Sequence, residues 1–160
     1  MEGWYGQPYR RPLERTREYI DILRLATASP APGPDTFDVV GGPLAIVADD
    51  DLERAADRLR PTLALYIGGM GARNVNFHHE VFARMGYEAE AKIIQDAYLA
   101  GDKRGAIAAV PTRLVADVAL IGPWAKIADE IQRWKQTVLT TFSVSCDPRH
   151  LSQVASLVRS

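Results

Sequence analysis

Apolar and polar positions divide the chain into helical and extended stretches. Leu13, Thr16, Ile20 and Leu23 fall on one stripe at spacings of three and four, and Pro12 suits a first helical position. Glu14 and Glu18 near its start and Arg24 near its end suit the helix dipole. The stretch TASPAPGPD then stops the pattern: Pro30, Pro32 and Pro34 each remove an amide donor, and the segment reads as a junction. Thr36 to Val40 and Leu44 to Ala48 read as one strand interrupted at Gly41, Gly42 and Pro43, with an apolar run after Pro43 that suggests burial on both faces.

One of Asp49, Asp50 and Asp51 is expected to cap a helix striped by Leu52, Ala55, Ala56 and Leu59, and Pro61 kinks or restarts it. A long helical region runs from about Asn76 to Leu120 with breaks at Gly86, Gly101 and Pro111. Gly122 and Pro123 open another helix, carrying Ile127, Ile131 and Trp134. Val138, Thr140, Phe142 and Val144 alternate with their neighbours at a strand period, and Asp147 and Pro148 start a last helix. Strands separated by helical crossovers pair in parallel, so the class is α/β, and 44–48 and 138–145 are expected to lie side by side. Two strands are few for such a sheet. They leave edges, and Val39, Ile46, Phe142 and Val144 are expected to face elements that are not there, which predicts a homo-oligomer or a complementing chain.

Composition narrows the function classes. With 160 residues, 47% hydrophobic and 24% charged, the chain can bury a real core. A net charge of -1 gives no electrostatic reason to expect nucleic acid or an anionic membrane as partner. Cys146 is a single cysteine, no apolar run is long enough to span a bilayer, and no secretory signal pattern opens the sequence, so a cytoplasmic protein is the expectation.

Local chemistry is sparse. GGMGAR offers backbone amides for a phosphate, but it lacks G-x-G-x-x-G spacing and also reads as a helix C-cap and turn. His78, His79 and Glu80 are adjacent, whereas a helical zinc site sets its ligands four apart, so no metal is expected. Trp4, Tyr5 and Tyr9 suit either a cofactor ring or a packed loop, and Cys146 has no basic partner or second thiol beside it.

The phrases EGWYGQPYRRPLERTREYIDILR and RPTLALYIGGMGARNVNF, with YEAEAKIIQDAYLAG, AAVPTRLVADVALIGP and RHLSQVASL, resemble the luciferase-like monooxygenase (LLM) class, most closely its actinobacterial oxidoreductases that use the deazaflavin coenzyme F420. That resemblance implies an α/β chain forming part of a TIM (β/α)8 barrel, helix-rich, with 36–48 and 138–145 resembling the seventh and eighth strands. Complete barrels need at least about 200 residues, so it also implies an N-terminal truncation and an internal deletion. Residues 1–28 then correspond to the loop and helix after the fourth strand, 29–35 to the junction, and 36–160 to the C-terminal part of the barrel.

By the same resemblance the chain is an F420- or FMN-dependent oxidoreductase acting on paired donors, by hydride transfer or monooxygenation, with a small-molecule substrate that stays open. Glu2, Gly3 and Trp4 would border the cofactor, and Tyr66, Gly68, Gly69, Met70 and Gly71 would wall the substrate pocket. No catalytic residue carries over. Most cofactor-binding loops have no counterpart, so tight binding by this chain alone is not expected, and a non-catalytic remnant or helical self-association module is the alternative.

Overall fold

A computed structural model describes residues 38–73, 75–137 and 139–159. The first helix, the junction at 29–35 and the loop holding Glu2, Gly3 and Trp4 lie outside the described residues. The interrupted strand is present: β1 (Val40–Gly41) and β2 (Ile46–Ala48) are two pieces of one extended run. A third strand, β3 (Leu120–Gly122), is buried along its whole length, and β4 (Thr141–Phe142) follows. All pairings are parallel: β1 with β4, β2 with β3, and a single bridge from Ile46 to Cys146.

The central run is flanked on both sides. Its Ala45 carbonyl accepts from the Leu120 amide at 2.9 Å, whereas the next residue, Ile46, donates its amide to the Ser145 carbonyl at 2.8 Å on the other side. The two expected strands are thus neighbours, but through β1 and the single bridge, and the helical crossover from Leu52 ends at β3. The run at 40–48 is not the strand immediately before β4, so the assignment of 36–48 and 138–145 to consecutive strands is corrected: β3 intervenes in the chain. Sequence pattern concealed β3, because Ala119, Leu120 and Ile121 continue the apolar run of the preceding helix without a break until Gly122.

A register change explains the interruption. Gly41 pairs with Phe142 but Ile46 with Cys146, so the central run carries one extra residue between these points, a β-bulge at Gly42–Pro43. Proline has no amide to offer a ladder, and a bulge is where a strand tolerates it. Gly42 must be glycine, because a Cβ there would overlap the carbonyl oxygen of Ser143.

Between β2 and β3 run α1 (Leu52–Asp57), α2 (Arg60–Ala64), α3 (Phe77–Phe82), α4 (Glu88–Leu99), α5 (Lys103–Ala108) and α6 (Thr112–Val118). Asp51 caps α1 by accepting from the amides of Glu53 and Arg54, and Pro61 sits in the first turn of α2. A π-helical turn, Leu65–Gly69, prolongs α2, and another, Ala83–Tyr87, joins α3 to α4 through Gly86 at φ 95°. After β3 come α7 (Trp124–Lys135), then a 3-10 turn (Pro148–His150) and α8 (Leu151–Arg159) behind the last strand.

Alternation along the strands sends side chains into two cores. Val47, Ala119 and Ile121 point to one face, where Ala55 and Ala56 of α1 and Leu114 and Val115 of α6 join the large core of the crossover. Ile46 and Leu120 point to the other, against Ile127 and Ile131 of α7 and Val154 of α8. Helices therefore cover both faces, and among the described residues the sheet is open. A sheet this narrow cannot curl around an interior, so its second face is covered by helices of its own crossover. The expectation that Ile46, Phe142 and Val144 face nothing is corrected by the same packing. Ile46 is buried, and Phe142 and Val144 are half-buried beside Trp134, Leu157 and Val158.

The crossover is pinned by Asn76, one of its few buried polar residues. Its side-chain amide donates to the carbonyls of Tyr66 at 3.1 Å and Ile67 at 2.8 Å, groups that the π-helical turn leaves free, while its oxygen accepts from the His79 amide and caps α3. Asn76→Ala is expected to cost about 2–4 kcal/mol, because two carbonyls and a helix start lose their partner together. Gly42→Ala is expected to cost roughly 2–3 kcal/mol by forcing the central run from its neighbour. Urea unfolding of both variants checks these values, and a loss under 0.5 kcal/mol (roughly the scatter of surface substitutions) would contradict them.

Candidate functional site

In open parallel sheets ligands bind beyond the carboxyl ends of the strands, where the chain leaves neighbouring strands toward opposite faces. Here β2 feeds α1 on one face, and the strand through Cys146 feeds α8 on the other. A cleft of about 210 Å³ lies between these two exits, lined by Ala48, Ser145, Cys146 and Asp147 and reached by Arg58 and His150. Gly122, at φ 122°, ends β3 beside it and accepts the Asp49 amide at 3.0 Å.

The charges around the cleft are mostly committed to one another. Asp49 follows β2 directly and accepts from Nε of Arg54 at 2.8 Å, with the Arg58 guanidinium at 4.0 Å. The Arg54 bond, and after it the Asp51 amide, hold the Asp49 carboxyl below the usual range. Asp147 accepts from Nη2 of Arg149 at 2.7 Å and from the Arg149 amide at 2.9 Å, and these bonds hold it well below that range. Both carboxylates are therefore poised as anions and hydrogen-bond acceptors, not as acids that donate a proton near neutral pH. His150 packs its ring edge-on against Trp124 at 5.2 Å, and Arg58, half exposed, is the cation that this cleft can offer an anionic group.

The residues expected to wall a substrate pocket lie elsewhere, on the π-helical turn of the crossover. Gly68 and Gly69 pack against Tyr98 of α4, and a Cβ on Gly68 would sit 2.5 Å from the Tyr98 Cβ. Close helix approach accounts for both glycines. Gly71 lies half-buried beside Val75 and Asn76, Met70 is exposed, and Tyr66 stacks edge-on with His78 at 4.6 Å. The five stay together on the crossover, and none of them lines the cleft at the strand exits. Among the described residues no three His, Cys, Asp or Glu side chains gather as for a metal. The sequence offered Asp49 only as a candidate helix cap and did not single out Arg58 or His150; the position of Asp49 directly after a buried parallel strand was the available signal of a site.

At the opposite, amino ends of the strands a cleft of about 420 Å³ is lined by Pro43, Asp117, Glu130, Arg133 and Trp134. There the Tyr87 hydroxyl donates to Asp117 at 2.5 Å, and the Arg113 guanidinium lies 5.5 Å from its ring.

Comparison with known proteins gives the chain a family. The profile of the luciferase-like monooxygenase family matches residues 25–141, well over half of the chain, and the chain belongs to that family. A protein of Mycobacterium tuberculosis (strain ATCC 25618 / H37Rv) whose name places it with the coenzyme F420-dependent oxidoreductases is 23% identical over 244 aligned residues, covering 99% of this chain and 70% of the relative. An alignment of that length against a chain of 160 residues must pass over stretches of the relative that have no counterpart here. No solved structure matches significantly.

Burial first, and then the bond to Asp117, push Tyr87 up to about 12. The fold thus favours the neutral phenol: its contribution is full below the ordinary tyrosine value near 10 and is lost as pH rises toward 12. An ultraviolet difference titration is expected to show one tyrosine ionising late, and Asp117→Asn to bring it part of the way back. A Tyr87 that ionises with the others would contradict the pairing.

Proposed function

We propose that this chain is part of an LLM-class oxidoreductase that works with coenzyme F420, or alternatively FMN, on a small-molecule substrate in the cytoplasm, and that a complementing chain must complete it. What supports the reading most is the family match across 25–141 together with two neighbouring parallel strand segments whose carboxyl ends line one cleft. The relative's name supports F420 ahead of FMN. Among the described residues no helix is long and apolar enough to cross a membrane.

The cleft at the strand exits does not fit either cofactor. About 210 Å³ lies below the roughly 300 Å³ at which ligand pockets begin. Gly68, Gly69 and Gly71, a natural place to seek a phosphate cradle, are taken up by Tyr98 and Asn76. No chemical step is therefore assigned to this chain's own side chains. Glu2, Gly3 and Trp4 remain the proposed border of a cofactor in a completed protein, and the wall from Tyr66 to Gly71 its proposed substrate side.

A second reading has its own support. Helices cover both faces of the sheet, α1 and α6 on one and α7 and α8 on the other, whereas a barrel keeps its helices on the outer face alone, and this packing favours a self-sufficient, non-catalytic module. Fluorescence titration of the purified chain with F420 or FMN separates the two. Binding no tighter than about 1 mM, worth roughly 4 kcal/mol, is expected for the isolated chain on either reading. Adding a chain that carries the missing strands is expected to bring affinity to the micromolar range if the oxidoreductase reading holds. Micromolar binding by the isolated chain would overturn the account of the site, and no gain on complementation would favour the module.

A further inference from the structure

Among the described residues the last strand has one open side. Hydrogen bonds to the central run use Thr141, Ser143 and Ser145: the Thr141 amide donates to Val39 at 3.2 Å, the Ser143 amide to Gly41 at 2.7 Å, and the Ser145 carbonyl accepts from Ile46. By the alternation of a strand, the backbone groups of Phe142, Val144 and Cys146 point away from the central run. Among the described residues, none of them finds a partner across that outer edge.

Natural edges are usually blocked by a lysine, a proline or an inward charge. From Leu139 to Cys146 this edge has none, and the stretch is rich in strand-forming Thr, Phe and Val. The side chains of Phe142 and Val144 pack on α7 and α8, which holds the edge extended, while Thr141, Ser143 and Ser145 stay exposed on the opposite face.

We infer that this edge pairs with the same edge of a second copy of the chain, antiparallel about Val144, to give one sheet continuous across the dimer. Charge favours a copy as the occupant: the edge is uncharged, so it meets itself without like-charge opposition, and an antiparallel edge is self-complementary under a two-fold axis. In that register Ser143 of each copy faces Ser145 of the other. The inference stands independently of the proposed oxidoreductase role, because it uses only the last strand and the helices that pack on it.

Such a short edge buries little surface, so the dimer is expected to be weak, with Kd roughly 0.1 mM. Sedimentation equilibrium over a concentration series of the full chain tests it, with Ser143→Lys and Ser145→Lys combined as the edge variant and Ile93→Lys, on exposed α4, as control. The edge variant is expected to weaken association at least about tenfold with an unchanged thermal transition, because lysines then face one another across the axis. The control is expected to dimerise as before. A chain that stays monomeric at every concentration overturns the inference, and slow exchange of the Phe142 and Val144 amides in that monomer would show the edge covered from within the chain. A dimer that survives the edge variant, or that the control abolishes, overturns it as well and assigns the contact to another surface. Should the edge variant unfold, Ser143→Lys alone gives the same two-way reading.

Discussion

The structure depends on how closely the run from Val40 to Ala48 can approach a neighbour on each side. It bonds to β3 through Ala45 and to the last strand through Ile46, so neither sheet pairing exists without it. That closeness is available because Gly42 has no side chain to meet the Ser143 carbonyl, and because Pro43 falls at the one-residue bulge where an amide is not required. A bulge also adds local twist to the central strand, and the cleft lies at the other end of that strand, between the exits of β2 and of the Cys146 strand.

The two cores on either side of this strand differ in kind. One is a helical body gathered on Ile67, Ile94, Leu114 and Val115, held by the Gly68–Tyr98 approach and the Asn76 clamp. The other is a thin layer around Ile46, Leu120, Ile127 and Val154 that depends on α7 and α8 staying in place. Loss of apolar area costs about 25 cal/mol per Å², so the thinner layer has less to lose before the last strand is freed. The cleft that family membership makes interesting therefore sits at the less heavily buttressed side of the molecule.

Much of this was legible in the sequence. Asp51, Pro61, Gly86, Gly101, Pro111, Pro123 and Asp147 mark the element boundaries because each acts locally, through a cap, a missing amide or a positive φ. The interruption at Gly41–Pro43 was legible for the same reason. β3 was not, because three buried apolar residues after a helix carry no period of their own, and with it went the strand order. The roles of Gly68, Gly69 and Asn76 were hidden too: glycines that admit an aromatic ring and glycines that cradle an anion look alike in one dimension. Asp49 and Arg58 became visible only when the exits of the strands were placed side by side.

Family membership implies a barrel in which each strand pairs with the one before it in the chain, whereas the described residues place 40–48 between β3 and the last strand with helices on both faces. Through-hydrogen-bond scalar couplings measured by NMR on the labelled chain separate these orders directly. Couplings from the Ile46 amide to the Ser145 carbonyl and from the Leu120 amide to the Ala45 carbonyl are expected together. Couplings that instead join the residues around Ser145 to those of Leu120–Gly122, with none from Ile46 to Ser145, would contradict the open, centrally stranded sheet.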